Sequence, residues 1–171
     1  GEPKYLNSPE TPLFEKGREL YGLPQARAAI RDEDCVIVVE GYMDVVALAQ
    51  HGVGNAVATL GTATTPTHVH KLLRQADRVI FCFDGDNAGR KAAARALEAS
   101  LEQAADNKTI AFPFLPPEDD PDSYVRAHGA DAFRTLARQA VPLTDFLMQE
   151  LKAGKDLATA EGRSQLVHAA K

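Results

Sequence analysis

Four short strand-like runs punctuate the chain: Cys35–Val39, Asn55–Ala58, Val79–Phe83 and Thr109–Phe114. The first and third are apolar without alternation, the pattern of strands covered on both faces. Helical stretches separate them. Tyr42–Gln50 sets Met43, Val46 and Leu48 on an apolar side, with Gly52 as the residue after its end. Thr65 and Pro66 read as N-cap and first residue of a helix running to about Ala76. A long Ala-rich helix spans about Ala88–Ala104. A short helix over Gln25–Ile30 precedes the first run, with Pro24 in its first turn. After the fourth run, Asp120 and Pro121 open a helix that ends near Gly129, Ala130–Gln139 forms another, and the pattern is helical again from Pro142. That last stretch breaks at Gly154 and restarts near Thr159. The β-α-β-α-β-α-β order predicts an α/β fold, a Rossmann-like parallel four-stranded sheet flanked by helices and followed by a C-terminal helical part.

Carboxylates gather where these strands end. Glu40-Gly41 follows the first, with Asp44 four residues on. Asp84-Gly85-Asp86 follows the third, and Glu118, Asp119, Asp120 and Asp122 crowd the loop after the fourth. Open α/β sheets hold ligands at the carboxyl ends of their strands, and right-handed crossovers bring those ends to one edge. Each acid has an ordinary alternative: Asp44 in a first helical turn suits the dipole, and Asp86 or Asp120 suits a cap. Capping explains one site at a time, whereas three acidic groups on one edge point to hard divalent cations, Mg²⁺ or Mn²⁺, held through oxygen. An EF-hand loop is excluded, because its fifth and twelfth positions would be Ala88 and Arg95. A phosphatase of the haloacid dehalogenase type is disfavoured by Ala88 two places after the second Asp. Gly61-Thr62 forms a tight turn of phosphate size, and Arg90 opposes the dipole of its helix, a placement suited to visiting anions.

Composition changes this picture little. The 171 residues suffice for a sizeable core, and 44% hydrophobic with 25% charged is ordinary for a globular chain. No apolar run approaches the length of a membrane span, and no signal-peptide pattern opens the chain. Cys35 and Cys82 sit in strand runs and read as buried thiols, which fits a cytoplasmic protein. The net charge of −5 becomes +3 once Glu40, Asp44, Asp84, Asp86, Glu118, Asp119, Asp120 and Asp122 are set aside as a cation site. Residues Gly1 to about Leu23 are Pro-rich and extended, with Lys4, Lys16 and Arg18 along them. His68 and His70 lie two apart on one helix and read as packing or surface residues.

Glu40-Gly41 after one strand and Asp84-x-Asp86 after a later one resemble the TOPRIM module of topoisomerases and primases. The segments Lys4–Pro12, Glu40–Asp44, Leu60–Thr62, Asp84–Arg90 and Asp120–Asp122 are similar to the bacterial replicative DNA primases. The resemblance implies a division into an extended leading segment of the primase polymerase domain (1–31), a TOPRIM metal-binding core (32–129) and a truncated C-terminal helical subdomain (130–171). It implies a template-directed RNA polymerase making short primers for DNA replication. Its acidic metal cluster would be Glu40, Asp44, Asp84, Asp86, Asp120 and Asp122, holding two or more Mg²⁺ or Mn²⁺ ions, with Glu40, Asp84 and Asp86 catalytic. Lys4, Asn7, Lys16, Gly61 and Arg90 would contact nucleotide or nucleic acid.

The implied partners are a single-stranded DNA template, ribonucleoside triphosphates and the RNA primer, with no membrane, at a replication fork in the bacterial cytoplasm. Family members also carry an amino-terminal zinc domain and a carboxyl-terminal helicase-binding domain. Two Cys cannot build that zinc site, so zinc and the replicative helicase are expected to bind outside this chain, which is read as an excised piece. Such a piece is expected to fold and to bind metal and nucleotide without efficient priming. A TOPRIM nuclease or topoisomerase fragment, or a metal-binding module without activity, are the alternatives.

Overall fold

The computed structural model describes residues 9–153. The chain forms β1 (Leu20–Tyr21), α1 (Leu23–Glu33), β2 (Cys35–Val39), α2 (Tyr42–Gln50), β3 (Ala56–Thr59) and α3 (Pro66–Leu73). It continues through β4 (Arg78–Phe81), α4 (Asn87–Leu101), β5 (Thr109–Phe112), α5 (Pro121–Arg138), β6 (Val141–Pro142) and α6 (Leu143–Lys152). One sheet of order β1-β3-β2-β4-β5-β6 runs through the middle. The four expected strands are β3, β2, β4 and β5, mutually parallel, with Ile37 opposite Ala56 on one side and Ile80 on the other. The count of four is corrected to six: β1 and β6, two residues each, pair antiparallel at the two edges. Pairs this short carry no period for a sequence to display.

The chain passes from β2 to β3 on one side of β2 and returns to β4 on the other, so the switch of direction lies between β2 and β4. Clefts in such sheets open there. Every β2 residue is buried, as the unbroken apolar run requires. Val36, Val38, Val79, Phe81 and Phe112 face a core closed by α1, α3, α4 and α6. Cys35, Ile37, Val39, Ile80 and Cys82 face a core closed by α2 and α5. Phe146 anchors α6 by ring contacts to Phe112 and Phe114, with centroids 4.8 and 5.2 Å away. Burial pushes the Cys35 thiol up to about 11 and Cys82 higher still, so both are inert thiols.

Helix limits and faces differ from the sequence pattern: α1 runs from Leu23 to Glu33 rather than from Gln25 to Ile30, and α4 stops at Leu101 rather than Ala104. Helix α3 stops at Leu73 rather than Ala76, and Met43 is 43% exposed while Val45, Ala47 and Leu48 form the buried side of α2. The expected break at Gly129 lies inside α5, at φ 86° and ψ 172°. Among the described residues no helix is long and apolar enough to cross a membrane.

Candidate active site

Each functional carboxylate hangs on a strand end or a helix start. Glu40 is the first residue past β2, and the amide of Asp84, three residues past β4, donates to Glu40 Oε2 at 3.3 Å. This bond spans the switch point of the sheet. Asp86 is the N-cap of α4, its Oδ1 accepting from the Gly89 amide at 2.8 Å. Asp120 is the N-cap of α5 in a capping box with Ser123, whose amide lies 2.7 Å from Asp120 Oδ1. The capping alternative therefore holds for both residues, and it leaves each a second carboxylate oxygen. Asp44, in the first turn of α2, accepts from the Asp122 amide at 3.2 Å. Helix α2 and the start of α5 are thus joined through the cluster itself.

Two glycines allow the loops to close this tightly. A Cβ on Gly85 would lie 1.8 Å from the Pro116 carbonyl oxygen, and one on Gly89 would lie 1.8 Å from the Asp84 carbonyl oxygen. Both distances are far inside van der Waals contact, so neither position admits a side chain. The Gly85 amide donates to the Asp119 carbonyl at 2.9 Å, clasping the loop after β4 to the loop before α5.

The electrostatics are those of acids that share too small a space. Burial raises Glu40 to about 7, helped by the charge of Asp84, with which it forms a hydrogen-bonded carboxyl pair, and by Asp86. Burial, then the charges of Asp84 and Asp120, raise Asp44 to about 6. Asp84 is raised by burial and by Asp120 and Asp86, against the lowering effect of its bond to Glu40. Among the described residues no three His, Cys, Asp or Glu side chains are set to grip one ion in common. The donor set is hard and anionic, and Glu40, Asp44 and Asp84 are held up in pKa by burial and by neighbouring carboxylates, a condition that a bound cation reverses.

Five of the six sequence-selected acids meet in this cluster: Glu40, Asp44 and Asp84 are raised, and the charges of Asp86 and Asp120 are among those that raise them. Asp122 differs: its carboxylate pairs with Arg126 one helical turn on, and only its backbone reaches Asp44. Of the basic residues, Lys4 and Asn7 lie outside the described residues. Lys16 is partly buried where its carbonyl accepts from His68 Nε2 at 3.0 Å, just past the loop that ends β3. Arg90 lies over the Phe114 ring at 4.6 Å, a cation–π contact that accounts for its place in the first turn of α4. Gly61 lines a separate pocket with Glu40, Thr59, Thr62, Thr64 and Arg95.

The Toprim-like family matches residues 37–125, from β2 to the first half of α5, which takes in every one of these acids. The chain belongs to the Toprim-like family. Around that Toprim-like core, the N-terminal domain of the DNA primase catalytic core matches residues 1–27, and the DnaB-helicase binding domain of primase matches residues 144–171. The latter corrects the expectation that helicase-binding sequence lies wholly outside this chain; ten residues of amphipathic helix carry no signature of a partner. The chain is similar to the DNA primase of Neisseria meningitidis serogroup A, 58% identical over 167 residues, which are 97% of this chain and 28% of that protein. It is 52% identical over 164 residues to the DNA primase of Escherichia coli K12, covering 96% of this chain and 28% of that one. A crystal structure of a DNA primase domain from Pseudomonas aeruginosa superposes with a TM-score of 0.93 at 57% identity, over 99% of this chain and 53% of that chain. The DnaG primase catalytic domain bound to ssDNA superposes with a TM-score of 0.93 at 50% identity, over 99% of this chain and 55% of that chain. The chain spans under a third of the length of the curated relatives named here.

Sequence reasoning missed three features of this Toprim-like site. Asp119 holds Ser123 Oγ through its carboxylate and Gly85 through its carbonyl, so it orders both acidic loops. The Asp122–Arg126 pair was visible as a spacing of four on a helix. Arg95 entered only as a position that fails a calcium loop, although it lies on the face of α4 turned to Glu40.

Proposed function

We propose that this chain is the metal-binding catalytic core of a DNA primase, in which Glu40, Asp84 and Asp86, with Asp44 and Asp120 beside them, hold divalent ions for nucleotidyl transfer. The observation that carries the reading is the convergence of Glu40, Asp44 and Asp84 from three separate elements, with the Asp84 amide on Glu40 and the Asp122 amide on Asp44. Each acid is raised chiefly by burial, and the charge of Asp84 raises both Glu40 and Asp44. Structural acids at caps do not need to face each other; acids that receive a cation do. Bound Mg²⁺ or Mn²⁺ would supply Lewis acidity at the attacking hydroxyl and counter-charge for the departing pyrophosphate.

The chain's own residues set the stage for that chemistry. Glu40, titrating near neutrality, suits proton exchange with a hydroxyl or displacement of its proton by a cation. Asp120 and the Asp122 amide fix Asp44 and the start of α5, and Asp122 would join the ligands only by releasing Arg126. Lys4, Asn7, Lys16, Gly61 and Arg90 are assigned to phosphate or nucleic-acid contact. The template is single-stranded DNA, the ligand class carried by the ssDNA-bound primase catalytic domain. Ribonucleoside triphosphates are the substrates and an RNA primer the product. Residues 144–171 contribute to docking a DnaB-type helicase. The relatives named above are primases, which favours this reading over a topoisomerase or nuclease.

Thermal melts test the reading at its base. Millimolar Mn²⁺ should raise the midpoint of the 171-residue chain by about 5 °C, a few kcal/mol of linkage. The double variant Asp84→Asn, Asp86→Asn should lose that rise, and in the full-length protein should lower primer synthesis at least ~100-fold. An equal rise in the double variant would refute the site.

A further inference from the structure

Residues Glu15 to Glu19 make a single helical turn, with the amides of Arg18 and Glu19 both donating to the Glu15 carbonyl, at 3.0 and 3.1 Å. One turn leaves its later carbonyls without amides ahead of them, and such orphans take donors from side chains or water. Helix α3 supplies the donors. His68 Nε2 lies 3.0 and 3.1 Å from the carbonyls of Lys16 and Glu19. The Thr65 hydroxyl donates to Gly17 at 2.6 Å, and the Lys71 ammonium donates to Arg18 at 3.1 Å. Thr65, His68 and Lys71 recur every third residue and so share one face of the helix. Four consecutive carbonyls thus rest on three side chains of α3.

These bonds end on the main chain, so the grip fixes the path of the segment and leaves the Lys16 side chain uncommitted. Lys16 has no ion-pair partner among the described residues, whereas Arg18 pairs with Glu15 and Lys71 with Glu19. The grip also lies at the acidic edge. Thr65 closes the loop after β3, and Thr64 beside it borders the same pocket as Glu40. An ammonium on a flexible stem meets a phosphate in one place only if the root of that stem does not move.

Resting on the assignment of Lys16 to phosphate contact above, we propose that His68, with Thr65 and Lys71, is a positioning residue for primer synthesis, fixing the Lys16 backbone so that its ammonium meets phosphate at the acidic edge. Asn and Gln separate the two ring nitrogens. An Asn amide falls where Nδ1 stands and can still accept from the Thr65 amide; a Gln amide falls where Nε2 stands and can still donate to the two carbonyls. KM and kcat for priming are measured on the full-length protein, with ribonucleoside triphosphate and single-stranded template varied in turn. Lys16→Ala should raise one KM at least ~10-fold, the scale of a lost charge-assisted contact, and the KM that rises tells whether nucleotide or strand carries the phosphate. His68→Asn should raise the same KM about fivefold, and His68→Gln should stay near the parent. Added to Lys16→Ala, His68→Asn should cost less than about twofold more, because no ammonium is left to aim. Lys71→Met removes a donor from a partly exposed site and should repeat the pattern on a smaller scale, which keeps the test open if His68→Asn fails to fold. Losses that simply multiply, equal KM values in His68→Asn and His68→Gln, or a lower melting temperature with both KM values unchanged would make the grip a structural tie alone and overturn the proposal. Parent-like KM values in Lys16→Ala would instead overturn the phosphate assignment, and the positioning role with it.

Discussion

Two loops at the same edge of the sheet are built on opposite principles. The loop after β3, Leu60 to Thr65, ends in a satisfied knot. Thr65 caps α3 and donates its hydroxyl to the Gly17 carbonyl at 2.6 Å. His68 Nδ1 accepts from the Thr65 amide at 3.1 Å, which leaves Nε2–H to donate to the carbonyls of Lys16 and Glu19 at 3.0 and 3.1 Å. Burial lowers the His68 pKa, so the ring stays neutral and keeps that tautomer. The loop after β4, Asp84 to Asp86, is instead a place where like charges are forced together and glycine is the only residue that fits. The first loop fastens the leading segment to the sheet and stabilises the fold. The second lowers stability in return for an acidic face that no well-packed loop would present.

The sharpest way to break this contrast is a single methyl group. Gly85→Ala should cost about 3 kcal/mol or more in urea unfolding, because the new Cβ meets the Pro116 backbone rather than a side chain able to swing away. It should also abolish the Mn²⁺-induced rise in melting temperature, since the acidic loop cannot keep its course. A loss under ~1 kcal/mol would show that the loop has slack that the close contact hides.

His68→Ala probes the other loop and should cost about 2 kcal/mol, the value of a buried ring whose hydrogen bonds join three segments. Unlike Gly85→Ala, it should leave the Mn²⁺ response of the remaining folded protein intact. If it removed that response, the two loops would not be separable.

The smallest effect is a pH slope. Folded Glu40 titrates at about 7 against its ordinary 4.5, and folded Asp44 at about 6 against 3.8. Raised values mean that the fold prefers the protonated acids. Their contribution is full below about pH 4 and is lost as pH climbs through 6 to 7. Without metal, the midpoint should fall by about 3 °C from pH 5 to pH 8. Glu40→Gln with Asp44→Asn should flatten that slope, Thr65→Ala should keep it, and Mn²⁺ should erase it by favouring the ionised forms. An unchanged slope in the Glu40, Asp44 double variant would assign it to other groups.

What the residues disclosed in advance follows from where the information is local. The runs at Cys35 and Val79 identify buried strands because both faces must be apolar, and Thr65-Pro66 and Asp120-Pro121 identify helix starts because cap chemistry is confined to a few neighbours. Strand order then brings Glu40 beside Asp84, a pairing 44 residues apart that topology rules make legible. Features that depend on a partner from elsewhere stayed hidden. Nothing near His68 names the carbonyls of Lys16 and Glu19, 52 and 49 residues away, as its acceptors. Nothing near Arg90 names Phe114, and the two-residue edges β1 and β6 exist only because β3 and β5 offer them unpaired backbone.

The bond between the Gly85 amide and the Asp119 carbonyl has a mechanical consequence. It makes the two acidic loops a single plate with a common register, although each belongs to a different helix. One residue inserted into either loop would shift the carboxylates of both, so length variation in this fold has to be accommodated elsewhere, in the connections that carry no acid. The same plate transmits load: a ligand that pulls on Asp84 also pulls on the first turn of α5. The Gly85 amide proton, held by that clasp, would exchange with solvent deuterium at a rate that reports the opening of the acidic face.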